Sequence, residues 1–119
     1  MGNFKNLEVW NDAKNLAVFI YRLTGSGPIS KDFGLRDQMR RAAVSVPSNL
    51  AEGEESGSTK KSISYFYIAK GSLAELQTQI IIGLETGYFD NSTTEDLEIR
   101  INTLSSKLRK LIQYRLTLV

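Results

Sequence analysis

The sequence contains no cysteine, no histidine and only two prolines. Without cysteine the chain can form no disulfide and offers neither a thiol nucleophile nor a thiolate ligand for zinc. Without histidine it has no side chain that ordinarily titrates near neutral pH, so a Ser-His-Asp triad and imidazole metal sites are excluded. We therefore expect a protein that is not an enzyme and that uses no metal or other cofactor.

Long apolar runs and targeting signals are missing as well. No apolar run approaches the ~20 residues that span a bilayer. The first six residues, MGNFKN, lack the apolar core of a secretory signal and lack the Ser or Thr that N-myristoylation needs at position 6. These absences predict a cytoplasmic protein without a membrane partner.

The composition is that of one globular domain. The 119 residues are 41% hydrophobic and 24% charged, which is enough to build a single core over residues 1–119. The net charge of +2 is too small to indicate a nucleic-acid-binding protein by itself, so the distribution of charge matters more than its sum.

Four segments carry the alternating spacing of three and four that is typical of amphipathic helices, and none alternates like a strand. Their apolar stripes span residues 9–23, 35–50, 63–84 and 97–111. Short connections favour antiparallel neighbours, so we predict an all-α, up-down-up-down four-helix bundle. Pro47 lies inside the second stripe and predicts a kink there, or else two shorter helices.

Several helix ends have recognisable caps. Ser30 is the predicted N-cap of the second helix, with Asp32 in its first turn, and Gly87 is the predicted left-handed C-terminal cap of the third. Ser92 and Glu95 have the spacing of a capping box for the fourth helix.

The first and third helices carry more apolar surface than one core needs. Three consecutive isoleucines at 80–82 sweep roughly 200° of a helix and cannot all face one side. This excess favours a subunit interface, although a wide buried face is the alternative. The predicted interface residues are Phe19, Tyr21, Tyr65, Ile68, Ile81 and Ile82. Gly71, which is unfavourable inside a helix, suggests a close approach of another helix.

Basic residues form two clusters. On the second helix Asp37 has the spacing to pair with Arg41, which leaves Arg36 and Arg40 without a local partner. Residues 100–119 contain no acid. Guanidinium and ammonium groups suit phosphate, whereas the alternative is a solvated or salt-bridged helix face. The candidate nucleic-acid or partner-binding residues are Arg36, Arg40, Arg41, Lys107, Arg109, Lys110 and Arg115.

Three blocks of sequence resemble one family. They are LEVW at 7–10, GLRDQMRRAAVSVPSNLAEG at 34–53 and IAKGSLAEL at 68–76. They are similar to the signatures of the 23S ribosomal RNA intervening sequence proteins. The residues that match these motifs are Ser45, Pro47, Asn49, Glu52, Gly53, Gly71, Ser72 and Glu75. The chain departs from the family pattern at Gly27, where an aromatic residue is common, and at Glu54-Glu55, where a basic residue is common.

The resemblance implies a bundle that assembles into a ring, typically a pentamer, with no known enzymatic activity. A related branch, the accessory variability proteins of diversity-generating retroelements, binds reverse transcriptase and nucleic acid. We therefore expect a non-catalytic homo-oligomeric scaffold whose partners are its own copies and structured RNA or a nucleic-acid-handling protein. The second hypothesis is a protein-protein adaptor with no nucleic-acid role. The third is an uncharacterised enzyme.

Overall fold

A computed structural model describes residues 3–119, and this part of the chain contains helices and no strand. Two short 3-10 turns, Phe4–Asn6 and Pro28–Lys31, precede the first two long helices. The long helices are α1 (Glu8–Leu23), α2 (Phe33–Glu55), α3 (Thr59–Glu85) and α4 (Asn91–Leu116). The predicted all-α fold with four helices is confirmed.

Each helix packs against two others, in the cyclic order α1, α2, α3, α4, within a molecule of 46 × 21 × 19 Å. We call one end of the molecule end A, where Arg115 Nη2 of α4 donates to Glu54 Oε1 of α2 at 2.9 Å. The other is end B, where the Tyr88 hydroxyl donates to Asp32 Oδ2 at 2.8 Å. The core runs between these ends.

The buried residues follow the predicted stripes. Phe66 of α3 and Ile20 of α1 are completely buried, as are Met39 of α2 and Leu104 of α4. Leu23, Leu35 and Leu111, at the ends of three stripes, are only partly buried. Burial of apolar side chains along four stripes is the main favourable contribution to folding.

Two predicted N-caps are wrong by two residues. Asp32 caps α2 by accepting the Leu35 N–H at 3.1 Å, while Ser30 lies in the preceding 3-10 turn. Asp90 caps α4 by accepting the Thr93 N–H at 2.7 Å, and Ser92 lies inside the helix. In both cases a carboxylate stands before the helix and is the stronger acceptor of the free N–H groups.

The glycine cap of α3 is confirmed. Gly87 has φ +85°, a left-handed conformation that favours glycine. The Tyr88 N–H then donates to the carbonyl of Gly83 at 2.8 Å, and the Gly87 N–H donates to that of Leu84 at 3.1 Å. This pair of bonds is a Schellman motif, which satisfies carbonyls left free at the helix end.

Pro47 does not divide α2, which continues as one helix to Glu55. The alternative of two shorter helices is therefore wrong, while the predicted kink stays a prediction. Pro47 has no N–H to donate to the carbonyl of Ala43. The Asn49 side chain reinforces the next turn, because its Nδ2 donates to the carbonyl of Ser45 at 2.8 Å.

The Asp32 cap predicts a pH dependence of stability. The Leu35 N–H and the Tyr88 hydroxyl hold the pKa of Asp32 below its usual range, since both donate to its carboxylate. Its stabilising contribution is therefore complete above the unfolded pKa and is lost as pH falls through the folded one. We expect Asp32→Asn to lower the urea midpoint at pH 7 and the difference from wild type to shrink as pH falls through the folded pKa of Asp32. A difference that stayed constant with pH would contradict this interpretation.

Candidate nucleic-acid interface

Arg40 is held by α1 and does not extend freely into solvent. Its Nε donates to Thr24 Oγ1 at 2.9 Å and its Nη2 to the carbonyl of Tyr21 at 3.3 Å. The guanidinium also lies over the Tyr21 ring, 4.5 Å from the centroid. Arg40 therefore joins α2 to the C-terminal turn of α1, and a phosphate would have to compete for the same donors.

Arg36 is likewise engaged within the chain. Its Nε pairs with Asp37 Oδ1 at 2.9 Å and its Nη1 donates to the carbonyl of Ser30 at 2.9 Å. The predicted pairing of Asp37 with Arg41 is wrong, because Asp37 turns to its neighbour in sequence. Arg41 is exposed, and no ion pair joins it to any residue within 3–119.

Arg115 lies inside the bundle rather than on a basic surface. Its residual exposure is 9%, its Nη2 donates to both Glu54 carboxylate oxygens at 2.9 and 3.2 Å, and its guanidinium lies 5.4 Å from the Phe66 ring centroid. The prediction that Arg115 contacts a partner phosphate is therefore incompatible with its burial. The sequence signal was its spacing, since position 115 stands seven residues after buried Leu108 and so shares its face.

Lys107 forms a bridge between α4 and α1. Its Nζ donates to Asp12 Oδ2 and to Glu8 Oε1, each at 2.6 Å. These two hydrogen bonds raise the pKa of Lys107 above its usual value, and the bond to Asp12 has the larger effect. Of the four predicted basic residues on α4, Arg109 and Lys110 remain exposed, and neither has an ion pair with any residue from 3 to 119.

Three lysines in the first half of α3, which were not among the predicted site residues, are further exposed cations in the half of the molecule that contains end A. Lys60, Lys61 and Lys70 are exposed and have no ion-pair partner between positions 3 and 119. The signal was available, because residues 59–74 contain three lysines and no acid. We call Lys60, Lys61, Lys70, Arg109 and Lys110 the basic end surface.

The serines and asparagine of the longest motif block join α2 to α3. Ser45 Oγ and Ser72 Oγ are 2.8 Å apart, and Asn49 Nδ2 donates to Ser45 Oγ at 2.9 Å. Gly53 allows the close contact one turn further along, because a Cβ there would lie 2.8 Å from Phe66 Cε1. This part of the motif therefore positions two helices.

The remaining motif residues lie wholly or partly at the surface. Glu52 and Glu75 are exposed, and Pro47 is half-buried. Gly71 is exposed, and nothing stands within 4 Å of the position that its Cβ would take. The predicted close approach at Gly71 is therefore not made within residues 3–119.

An open groove of about 270 Å³ lies between α1 and α4. Its three charged lining residues are already paired, Asp12 with Lys107 and Arg100 with Asp96 at 3.2 Å. Within the described residues no group of three or more acidic side chains is placed to hold a metal ion. None of the helices in residues 3–119 is long and apolar enough to cross a membrane.

The family model described as 23S rRNA-intervening sequence protein matches residues 5–110. The chain belongs to this family. A search of curated proteins finds no match for this family member. Among solved structures, the chain is similar to a protein of unknown function from the S23 ribosomal protein family of Bacteroides thetaiotaomicron. The TM-score is 0.82 at 21% identity, over 88% of this chain and 95% of the other, and this likeness shows the shared helical fold.

The predicted interface residues of this 23S rRNA-intervening sequence protein divide into two groups. Phe19, Tyr21 and Tyr65 are used within the chain: Arg100 covers Phe19 at 4.5 Å, Arg40 covers Tyr21, and Tyr65 packs beside Gly53. The other three are exposed isoleucines of α3, at 53%, 39% and 45% of their surface: Ile68, Ile81 and Ile82. Tyr21 is also 46% exposed, so it remains open to another molecule on the side that Arg40 does not cover.

Proposed function

We propose that this family member is a non-catalytic, homo-oligomeric scaffold in the cytoplasm that holds RNA by its phosphates through the basic end surface. The resemblance of its motif blocks favours a ring of five copies. The description of the family, which refers to 23S rRNA, supports RNA as the partner.

Antiparallel packing of successive helices is part of this proposal. Lys107 in the second half of α4 contacts Glu8 at the start of α1, while Arg100 in the first half of α4 covers Phe19 near the end of α1. Gly53 near the end of α2 likewise meets Phe66 near the start of α3. These contacts support an up-down-up-down bundle.

The observation that carries RNA binding is the unneutralised charge at end A. Segments 59–74 and 104–119 contain seven basic residues and no acid, and within residues 3–119 only Lys107 and Arg115 of the seven are paired with acids. Free cations without a base-reading motif bind phosphate oxygens and carry little sequence information. We therefore expect binding that is electrostatic, weak for one subunit and tolerant of sequence.

A protein-protein adaptor is the second candidate. Ile68, Ile81 and Ile82 leave apolar surface exposed along α3, and contact with another protein would remove that surface from water. In that case the basic end surface would make no specific contact with nucleic acid.

Salt dependence tests the two candidates. If about four phosphates are neutralised, log affinity for single-stranded RNA falls against log salt with a slope of roughly −3. The triple variant Lys61→Gln, Arg109→Gln, Lys110→Gln should reduce that slope by about two and weaken binding at low salt. Binding is measured by fluorescence anisotropy with a labelled oligoribonucleotide and with a folded 23S rRNA fragment.

A matched control removes the same charge elsewhere. Arg22→Gln, Lys31→Gln, Arg41→Gln changes three exposed cations near end B and should leave the slope as in wild type. A reduced slope in the control alone would assign binding to the cations Arg22, Lys31 and Arg41 near end B. RNA binding that is insensitive to salt, or no RNA binding, would contradict the RNA-binding proposal and favour the protein-protein adaptor.

A further inference from the structure

Two exposed tyrosines accompany the cations of the basic end surface. Tyr67 of α3 keeps 49% of its surface exposed and Tyr114 of α4 keeps 61%. Their buried neighbours in sequence, Phe66 and Arg115, contact each other, with the guanidinium 5.4 Å from the ring centroid. The two tyrosines therefore lie at about the same level along the molecule, on adjacent helices near end A.

The Tyr67 ring lies on the side of α3 that faces away from α2. Tyr65, two positions earlier, packs beside Gly53 of α2, and two positions on an α-helix are about 200° apart. The Lys70 Nζ lies 6.0 Å from the Tyr67 ring centroid, and Lys60, seven residues before the tyrosine, shares its face. The ring is thus exposed between two cations of its own helix.

Tyr114 has a comparable setting on α4. It stands four residues after Lys110 and therefore on the same ridge of the helix. Residues 104–119 contain no acid. Three acids that reach α4 from α1 and α2 are already paired there, Glu8 and Asp12 with Lys107, and Glu54 with Arg115. The charge along this part of α4 is therefore positive where Tyr114 is exposed.

Exposed rings beside cations suit the chemistry of a nucleotide. A nucleobase has a flat face that stacks on an aromatic side chain, and its phosphate carries the charge that lysine and arginine attract. Every base has such a face, so stacking tolerates any sequence, as phosphate contacts do. In duplex RNA the bases are paired and stacked on one another, which leaves mainly phosphates and ribose hydroxyls for a surface of this kind.

We propose that the basic end surface binds unpaired RNA, with bases stacked on Tyr67 and Tyr114 and the flanking phosphates held by the neighbouring cations. The inference rests on the proposed RNA binding and adds the class of RNA, which is single strands and loops. Cations alone would give an affinity that does not depend on the bases, whereas the two rings make it depend on them.

Removal of the bases tests this proposal on the unaltered protein. An unstructured, labelled oligoribonucleotide of mixed sequence is compared by fluorescence anisotropy with an oligomer of the same length whose riboses lack bases. The two probes carry the same phosphates, so binding by charge alone predicts equal affinity. We expect the wild type to bind the base-bearing oligomer more tightly on the order of 10-fold, because stacking on the rings is lost with the bases.

Removal of the rings is the complementary test. Tyr67→Gln, Tyr114→Gln should weaken binding of the base-bearing oligomer on the order of 10-fold and leave binding of the abasic oligomer and of duplex RNA as in wild type. Both sites are exposed and glutamine is a good helix former, so the helix content should be retained, which far-UV circular dichroism verifies. The slope of log affinity against log salt should stay as in wild type, because no charge is removed.

Two matched variants serve as controls. Tyr67→Phe, Tyr114→Phe keeps both rings and should bind as the wild type does. Phe33→Gln removes a ring of α2 that is 63% exposed and has the Arg36 guanidinium 4.8 Å from its centroid. It should change nothing, because Arg36 is already paired with Asp37 and the site lies at the opposite end of the molecule.

The outcomes separate this inference from the proposed function. A loss of affinity confined to base-bearing RNA and to the glutamine variant of the two tyrosines supports stacking. Salt-dependent binding that is equal for the two oligomers, or that this variant leaves unchanged, overturns the inference and leaves phosphate binding standing. An equal loss for the abasic oligomer, or an equal loss in either control variant, also overturns stacking on these rings. A wild type that binds no RNA overturns the inference and the RNA-binding proposal together.

Discussion

Arg115→Ala should destabilise the fold by about 3–5 kcal/mol, because it leaves the buried Glu54 carboxylate without a cation. The side chains of Arg115 and Glu54 are only 10% and 6% exposed, so water cannot replace the lost partner. Arg115 also covers the Phe66 ring, and truncation opens space beside it. Urea unfolding followed by circular dichroism gives the change in the free energy of unfolding.

The double variant Glu54→Leu, Arg115→Met separates the charge from the packing. Replacement of a buried ion pair by apolar side chains of similar volume is often neutral, so most of the loss caused by Arg115→Ala should be recovered. A loss below about 1 kcal/mol in Arg115→Ala would be typical of an exposed pair and would contradict the burial of this one.

Gly83→Ala should destabilise the protein by about 1–3 kcal/mol, because it overpacks the contact between α3 and the turn before α4. A Cβ at Gly83 would lie 2.3 Å from Phe89 Cε2 and 2.5 Å from Phe89 Cδ2. The Phe89 ring is 6% exposed and has little room to withdraw. The Gly83 carbonyl also accepts the Tyr88 and Phe89 N–H groups, so a shift of the backbone would disturb the end of the helix.

Gly71→Ala in the same helix is the matched control, with the opposite expected sign. The site is exposed and open, so the gain in helix propensity should stabilise the monomer by up to about 1 kcal/mol. Urea unfolding of both variants at low protein concentration gives the comparison. Equal destabilisation by the two substitutions would show that helix propensity and the Phe89 contact do not explain them.

Local patterns in the sequence determined the helices. The stripe through Val9 and Ile20, or through Leu97 and Leu108, is visible because the period of an α-helix places these residues on one face whatever packs against it. Gly87 was recognisable for the same reason, since its left-handed conformation is a property of the chain at that point. The N-cap of α2 could not be assigned from the sequence in this way, because Ser30 and Asp32 are both favourable N-cap residues. Asp32, which is the cap, also accepts a hydrogen bond from Tyr88, 56 residues away.

The distant partners of three charged side chains were decided by the tertiary structure alone, whereas Arg36 and Arg100 pair with acids one and four residues away. Arg40 meets Thr24, Lys107 meets Glu8, and Arg115 meets Glu54, across 16, 99 and 61 residues. The partners in these pairs are distant in sequence. The local sequence around a cluster of basic residues is therefore the same whether their charges are free or neutralised. The sequence by itself determined where cations are plentiful and which stripes are apolar, because composition and period are local. Only the packing of four helices decided which cations remain for a partner, because neutralisation depends on which helices become neighbours.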